Sequence, residues 1–379
     1  MAETPAATGA ATTTLAHVNV PPAQTWNYLR INDIAFEVPV VRTKGEVLTR
    51  LPHLFDNVEV GVGAEAVSWL VSAAGDARYV EVKAGVRRAD PIVIDIDAAS
   101  VDVRDTGVLV REGAAATVVV AVHGTGASGA TSGSLVRIVA ERGAQVSLIE
   151  VVAPSGAAQH LEAVGIEAAD GAQVEVRQYA LGGAKVALGI AVGLSGASAR
   201  LEQECRYLAR GNDILDVNHV VRQRGRNTKS QLTTSGILAD SAKKTMRETI
   251  DLIHGAKGAK GNEVETVLVT GDAVVNKTLP VILCDEDDVA GNHGASIGSV
   301  SAEQLAYLAD RGISEEEAEA LFARAIFDDA AIHAPEDSSR TAALARAEEV
   351  LGAEVARDVA EGLGLSVASG AFDDEEVSA

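Results

Sequence analysis

Gly113-Ala114-Ala115-Ala116-Thr117-Val118 is followed by Gly143-Ala144-Gln145-Val146 and Gly171-Ala172-Gln173-Val174, three copies of a Gly-Ala turn leading into a β-branched strand. The glycines are 30 and 28 residues apart, and Gly196-Ala197-Ser198-Ala199 reads as a degenerate fourth copy. A unit of this length cannot bury its own apolar face, so the copies are expected to stack as coils of a solenoid. An antiparallel sandwich with similar turns is the competing architecture.

The flanking sequence has the same grain. From Ile34 to about Ile282 the pattern is short and strand-like, as in Ile92-Val93-Ile94-Asp95-Ile96, Val118-Val119-Val120-Ala121-Val122 and Val146-Ser147-Leu148-Ile149-Glu150, with weak helical periodicity. With 47% hydrophobic residues over 379 positions the chain can bury a large core, but only 3% are aromatic. The core must therefore be Val, Ile, Leu and Ala, and 36 glycines mark many reversals, which favours a β-rich fold over a helix bundle.

Outside this region the character changes. Residues 1–20 are Ala/Thr-rich without the basic and apolar regions of a secretory signal, and are expected to be a disordered lead-in. Thr25 to Asn32, with Trp26 and Tyr28, reads either as a docking arm or as a staple onto the core; with it the β core spans 21–298. Beyond Gly298, Ser301 to Asp310 and Ser314 to Asp328 have capping serines and apolar residues at helical spacing. Two further helices, Ser339 to about Leu351 and on to Leu363, complete a small C-terminal helical domain over 299–365. An acidic tail, 366–379, follows.

The formal charge of −22 disfavours nucleic acid and anionic membrane surfaces as partners. No apolar run of spanning length lacks charges or glycines. Cys205 and Cys284 are too few for a disulfide framework or a four-cysteine zinc site, which suits a reducing cytoplasm.

Gly124-Thr125-Gly126-Ala127-Ser128-Gly129, with Glu150 downstream, passes the dinucleotide-binding pattern. The helix it should open, Ala130 to Arg142, contains Gly133 and β-branched residues, which argues against that reading. Gly255 to Gly261 lacks the order of a phosphate-binding loop and reads as a surface loop, so the chain is expected to bind no nucleotide. His17, His53, His160 and His333 read as surface or loop residues, and His123 as a strand-edge residue. His219 stands beside Arg222, Arg224, Arg226 and Lys229, either a basic face for an acidic partner or a solvated edge, and His254 reads as structural.

The segment Leu279-Pro280-Val281-Ile282-Leu283-Cys284-Asp285-Glu286-Asp287-Asp288-Val289-Ala290-Gly291-Asn292-His293-Gly294-Ala295-Ser296-Ile297-Gly298 gathers a thiol, four carboxylates and an imidazole where the β region ends. These are iron and iron-sulfur ligand types, although strand alternation also allows Cys284 to be a core residue beside Ile282. Asp287-Asp288-Val289 through His293 to Gly298, then Glu303-Gln304-Leu305, Tyr307-Leu308 and Arg311-Gly312-Ile313-Ser314, resembles the end of the SufB/SufD family core. His219 to Gly236, with Gly225-Arg226-Asn227-Thr228-Lys229-Ser230, is similar to an upstream block of that family.

The resemblance implies a right-handed parallel β-helix with a C-terminal helical domain, acting as a non-catalytic scaffold of SUF iron-sulfur cluster assembly. It implies a SufB-type partner, a SufC-type ATPase docked on the helical domain, and a transient cluster at the subunit interface; a homodimer is the alternative assembly. The family's SufD histidine matches His293, which carries the cluster-ligand role, with Cys284 and Cys205 as lesser candidates. Many relatives carry a cysteine two residues before that histidine where this chain has Gly291. The cluster-building cysteine of SufB-type subunits has no upstream counterpart, which favours the SufD type. Two other functions compete: a docking subunit that binds the ATPase without ligating iron, and a β-helix carbohydrate-active enzyme. The latter is disfavoured because no catalytic carboxylate set recurs on one face of the coils.

Overall fold

The computed structural model describes residues 11–23, 29–41, 48–299 and 302–362. Two short strands, β1 (Thr12–Leu15) and β2 (Phe36–Pro39), pair antiparallel, and helix α1 (Ala64–Ala74) follows. From there the chain alternates between two eight-stranded parallel sheets. The first holds β3 (Arg78–Val82), β5 (Val103–Val110), β8 (Thr131–Ala140), β11 (Gln159–Ala168), β13 (Lys185–Leu194), β15 (Ile214–Gln223), β17 (Lys243–Leu252) and β19 (Val275–Cys284). The second holds β4 (Ile92–Asp97), β6 (Ala115–His123), β9 (Gln145–Val152), β12 (Gln173–Ala180), β14 (Arg200–Ala209), β16 (Lys229–Leu238), β18 (Lys260–Val269) and β20 (Ala290–Gly298). A two-residue parallel pair, β7 (Thr125–Gly126) and β10 (Ser155–Gly156), joins two neighbouring coils. The result is the expected parallel β-solenoid, and the parallel pairing excludes the antiparallel sandwich.

The repeat that predicts the solenoid is its corner. Gly113, Gly143 and Gly171 have φ of 64°, 65° and 65°, the left-handed conformation that glycine adopts without penalty. Each corner N–H donates to the carbonyl just before the next coil's corner: Gly113 to Arg142, Gly143 to Asp170, Gly171 to Ala197. Where the glycine is lost, Ser198 and Asn227 hold the same conformation, which is why the repeat fades in sequence while the geometry continues. The alanine after each corner, Ala114, Ala144, Ala172 and Ala199, is fully buried where two sheets meet.

Each sheet is covered over part of its outer face. Leu15, Val18, Phe36, Val38, Trp69 and Leu70 pack on Val103, Leu135, Leu161, Ala163 and Ala187 of the first sheet. Residues 11–20 of the lead-in expected to be disordered instead carry β1 and bury Leu15 and Val18, apolar residues with an outer face to cover. Helix α1 also departs from the expectation of weak helical periodicity; Ala66, Trp69 and Leu70 bury at helical spacing. Gln24–Tyr28, with both aromatics of the expected docking arm, lies outside the described residues, as do residues 1–10 and the acidic tail.

Among the described residues four helices follow the last coil: α2 (Ala302–Ala309), α3 (Glu315–His333), α4 (Asp337–Leu351) and α5 (Ala353–Gly362). Ser314 caps α3 through a reciprocal capping box with Glu317. Helix α4 begins earlier than expected, its cap being the Glu336 carboxylate, which accepts from the N–H groups of Ser338 and Ser339. The bundle packs on the flank of the second sheet, with Ile326, Phe327, Ala330 and Ala343 against Ile149, Val151, Tyr179 and Leu208. The Tyr179 hydroxyl donates to Asp329 at 2.8 Å, and Arg206 pairs with the same carboxylate.

Strand β8 overturns the dinucleotide pattern, since the segment after Gly129 is a strand, Thr131–Ala140, where that fingerprint needs a helix. Glu150, in place of a ribose-binding acid, is sealed inside the solenoid.

Candidate functional site

Among the described residues no strand pairs beyond the last coil. β19 and β20 end the two sheets, each hydrogen-bonded to one neighbour only, and every residue of β20 is exposed. Pro280 stands within β19, in keeping with the confinement of strand prolines to edges. That proline is a sequence signal for the open end that went unused.

Paired residues of neighbouring parallel strands point the same way, so the register fixes what His293 faces. It continues the column Val176, Gln203, Leu232, Glu263, whose members lie inside the solenoid. His293 therefore sits one rung above the buried Glu263, on the interior side of an end that no further coil covers among the described residues. The next column runs Glu150, Gln178, Cys205, Thr234, Glu265, Ala295. On the first sheet His219 stacks on Glu248.

An otherwise aliphatic interior thus holds a polar file. Gln178 donates to Glu150 at 2.8 Å, and its carbonyl oxygen lies 3.0 Å from His219 Nε2. His219 Nδ1 is 3.2 Å from Glu248, which also accepts from Thr234 at 2.8 Å. Glu265 is held by Lys244 and by the Tyr207 hydroxyl, while Lys244 reaches Thr278 on β19 at 3.0 Å. Burial in so dry a site disfavours charge. It pushes the Glu150 carboxyl well up, aided by Glu162, and raises Glu263 to about 10, aided by Glu248.

The structure separates the expected ligands. Cys205 is buried with its Sγ 3.4 Å from the Gln178 carbonyl oxygen, and burial, reinforced by Glu248 and Glu150, pushes its thiol well up. Cys284 is exposed at the end of β19 and contacts the Glu286 carbonyl at 3.4 Å, so the core alternative for it does not hold. A Cβ on Gly291 would meet Ile282 Cγ2 at 3.1 Å, so Ile282 occupies the space beside that position. Among the described residues no three His, Cys, Asp or Glu side chains come together as metal ligands.

The other histidines sort by burial. His160 and His219, read from sequence as surface or edge residues, are fully buried, His160 bonded to Ser132 at 2.9 Å. The basic run beside His219 is partly spent internally, Arg222 pairing with Glu59 and Asp251. His123 pairs with Asp95 at the strand end as expected, and His254 is exposed, 3.8 Å from Glu286. His333 instead joins the Tyr179 and Asp329 contact that fastens α3.

Residues 94–326, well over half of the chain, match the family model described as SUF system FeS cluster assembly, SufBD core domain. The chain is 36% identical over 97 residues to the iron-sulfur cluster assembly protein SufD of Bacillus subtilis, covering 26% of this chain and 22% of that protein. It is 35% identical over 92 residues to the SufB of the same organism, covering 24% and 20%. A SufBD family protein of Methanocaldococcus jannaschii is 30% identical over 124 residues, 33% of this chain and 38% of that protein. These alignments span roughly a fifth to two-fifths of the relatives' length. Among the described residues no helix is long and apolar enough to cross a membrane.

Proposed function

The chain belongs to the SufBD family of SUF iron-sulfur cluster assembly, and on that premise we propose that it is a non-catalytic, SufD-type scaffold subunit of the cytoplasm. In this reading it pairs through the open end of its solenoid with a SufB-type β-helix, and a SufC-type ATPase docks on its helical domain and hydrolyses ATP in trans. A nascent cluster, the cargo of the assembly, forms at the paired ends with His293 as this chain's ligand.

The observation that carries the reading is His293, exposed on the interior side of two adjacent edge strands. Unpaired strand edges are templates for strand addition, and a neutral imidazole is a competent iron ligand. One imidazole by itself does not hold a cluster, so in this reading the partner supplies further ligands. Cys284 lies exposed at the same end and is the reserve ligand; the sealed Cys205 is disfavoured because a ligand must be a thiolate.

Anaerobic reconstitution of the complex is expected to yield a cluster with wild type and at least about tenfold less with His293→Ala, with the subunits still co-purifying. Normal cluster yield in the variant would favour the second reading, a docking subunit that ligates no iron. Tyr307, Leu321, Phe322 and Ile332 leave large apolar side chains exposed on the helices. Leu321→Asp with Phe322→Asp is expected to cut ATPase co-purification about tenfold or more while sparing the SufB-type contact. Undiminished ATPase capture would remove the helices from that role.

A further inference from the structure

We propose that the acidic run Asp373-Asp374-Glu375-Glu376 docks on a basic ridge that the stacking of coils builds along the second sheet. Arg200, Lys229 and Lys260 open β14, β16 and β18 and are paired rung to rung, so their side chains leave the same outer face about 4.8 Å apart. Arg226 and Lys257 hold the equivalent place on the successive corners before those strands, their carbonyls accepting from the N–H groups of Ser198 and Asn227. Arg224 lies on the same corner as Arg226. All six cations are exposed, and none has an ion pair or a side-chain hydrogen bond among the described residues.

Like charges one rung apart repel each other. Elsewhere on the solenoid surface such arginines are matched, Arg111 with Glu81 and Glu141, Arg142 with Glu112, and Arg177 with Glu204. The column beside the ridge does not match it in the same way. Gln231 and Asn262, two places further along their strands, hydrogen-bond to each other at 2.9 Å and bring no carboxylate. The acids that border the ridge are Glu202 on β14 and Asp287 and Asp288 on the last corner, and none of them pairs with it among the described residues. The ridge is thus an uncompensated positive surface on a chain of formal charge −22, and its counterpart is a run of carboxylates.

The chain itself carries such a run, four consecutive carboxylates at 373–376. Its reach fits. Ala356 of α5 belongs to the same apolar cluster as Leu208 of β14, which is eight residues, roughly 27 Å, along the strand from Arg200. Helix α5 ends at Gly362, and the ten residues 363–372 that lead to Asp373 span up to about 35 Å when extended. Docked there, the acidic run neutralises the ridge and closes this face to other anions. The inference does not rest on the cluster reading, and its test contains no iron.

Zero-length carbodiimide crosslinking of the full chain, read by mass spectrometry, joins a lysine to a carboxylate only where the two touch. Lys229, Lys257 or Lys260 is expected to join to residues 373–376, with a yield that falls at least about fivefold in salt near 1 M, where the screening length is about 3 Å. Arg200→Glu with Arg226→Glu, changes at exposed residues that leave the lysines as reporters, should lower the yield several-fold with the circular dichroism unchanged. In an equal mixture of nitrogen-15-labelled and unlabelled chains, the crosslinks should stay within one label. No crosslink to 373–376, crosslinks of these lysines confined to Glu202, Asp287 and Asp288, or a yield indifferent to salt would overturn the proposal even if the double variant fails to fold. Mixed-label crosslinks would also overturn it, because the ridge would then hold the acidic run of a second copy.

Discussion

Asp216→Ala is expected to destabilise the protein by about 3–5 kcal/mol, the cost of leaving a buried cation without its partner. The cation is Arg247, fully buried, whose Nη1 and Nη2 donate to Asp216 at 2.7 and 3.1 Å. Arginine cannot escape by losing its proton. The same pair also ties the N-terminal segment to the coils: Asn19 donates to Asp216 at 2.8 Å, and Arg247 donates to Asn32 Oδ1 at 3.1 Å and to the Ile31 carbonyl. Denaturant unfolding of Asp216→Ala should show the loss as a shifted midpoint, and limited proteolysis should show the N-terminal segment released. A shift worth less than about 1 kcal/mol would mean that water reaches the guanidinium and that the site is not dry.

The second large effect is a dependence of stability on pH that runs opposite to ordinary acid denaturation. Glu263 is raised from the usual carboxyl range to about 10 by burial and by Glu248. In the unfolded chain the group ionises near its usual value, so between roughly pH 4.5 and 10 the folded state holds a proton that the unfolded state has lost. Stability from this group is therefore fully present below that window and declines as pH rises through it, by at most about 1.4 kcal/mol per pH unit. Glu150, also raised, acts in the same direction. Glu263→Gln cannot ionise and can donate to Glu248, so it should be more stable than wild type at pH 8–9 and show a flatter profile. A wild type whose stability is unchanged from pH 5 to 9 would sink this assignment.

Much of the fold was legible because its cause is local. The Gly-Ala corners at Gly113, Gly143 and Gly171 are a backbone conformation plus a small buried residue, and both leave a mark in sequence. The capping serine of α3 is likewise a short-range device. Helix α1 was missed although Ala66, Trp69 and Leu70 have helical spacing, because the short segment lies among strand-like runs. His160 and His219 were misjudged for a different reason. A strand residue's side is set by parity, and parity has meaning only once the register between coils is known.

His293 shows where each kind of information stops. By itself the sequence determined that a solenoid of corners and strands ends near Gly298, that helices follow, and that an imidazole lies at that junction, since turn chemistry, alternation and capping act over a few residues. Only the tertiary structure decided that the helices fold back on the flank of the second sheet, with no described strand paired beyond the last coil. It also decided that His293 stands above Glu263, whose Oε2 has no hydrogen-bond partner among the described residues. Those neighbours lie about one coil apart along the chain, and stacking register, which no local pattern encodes, brings them into contact.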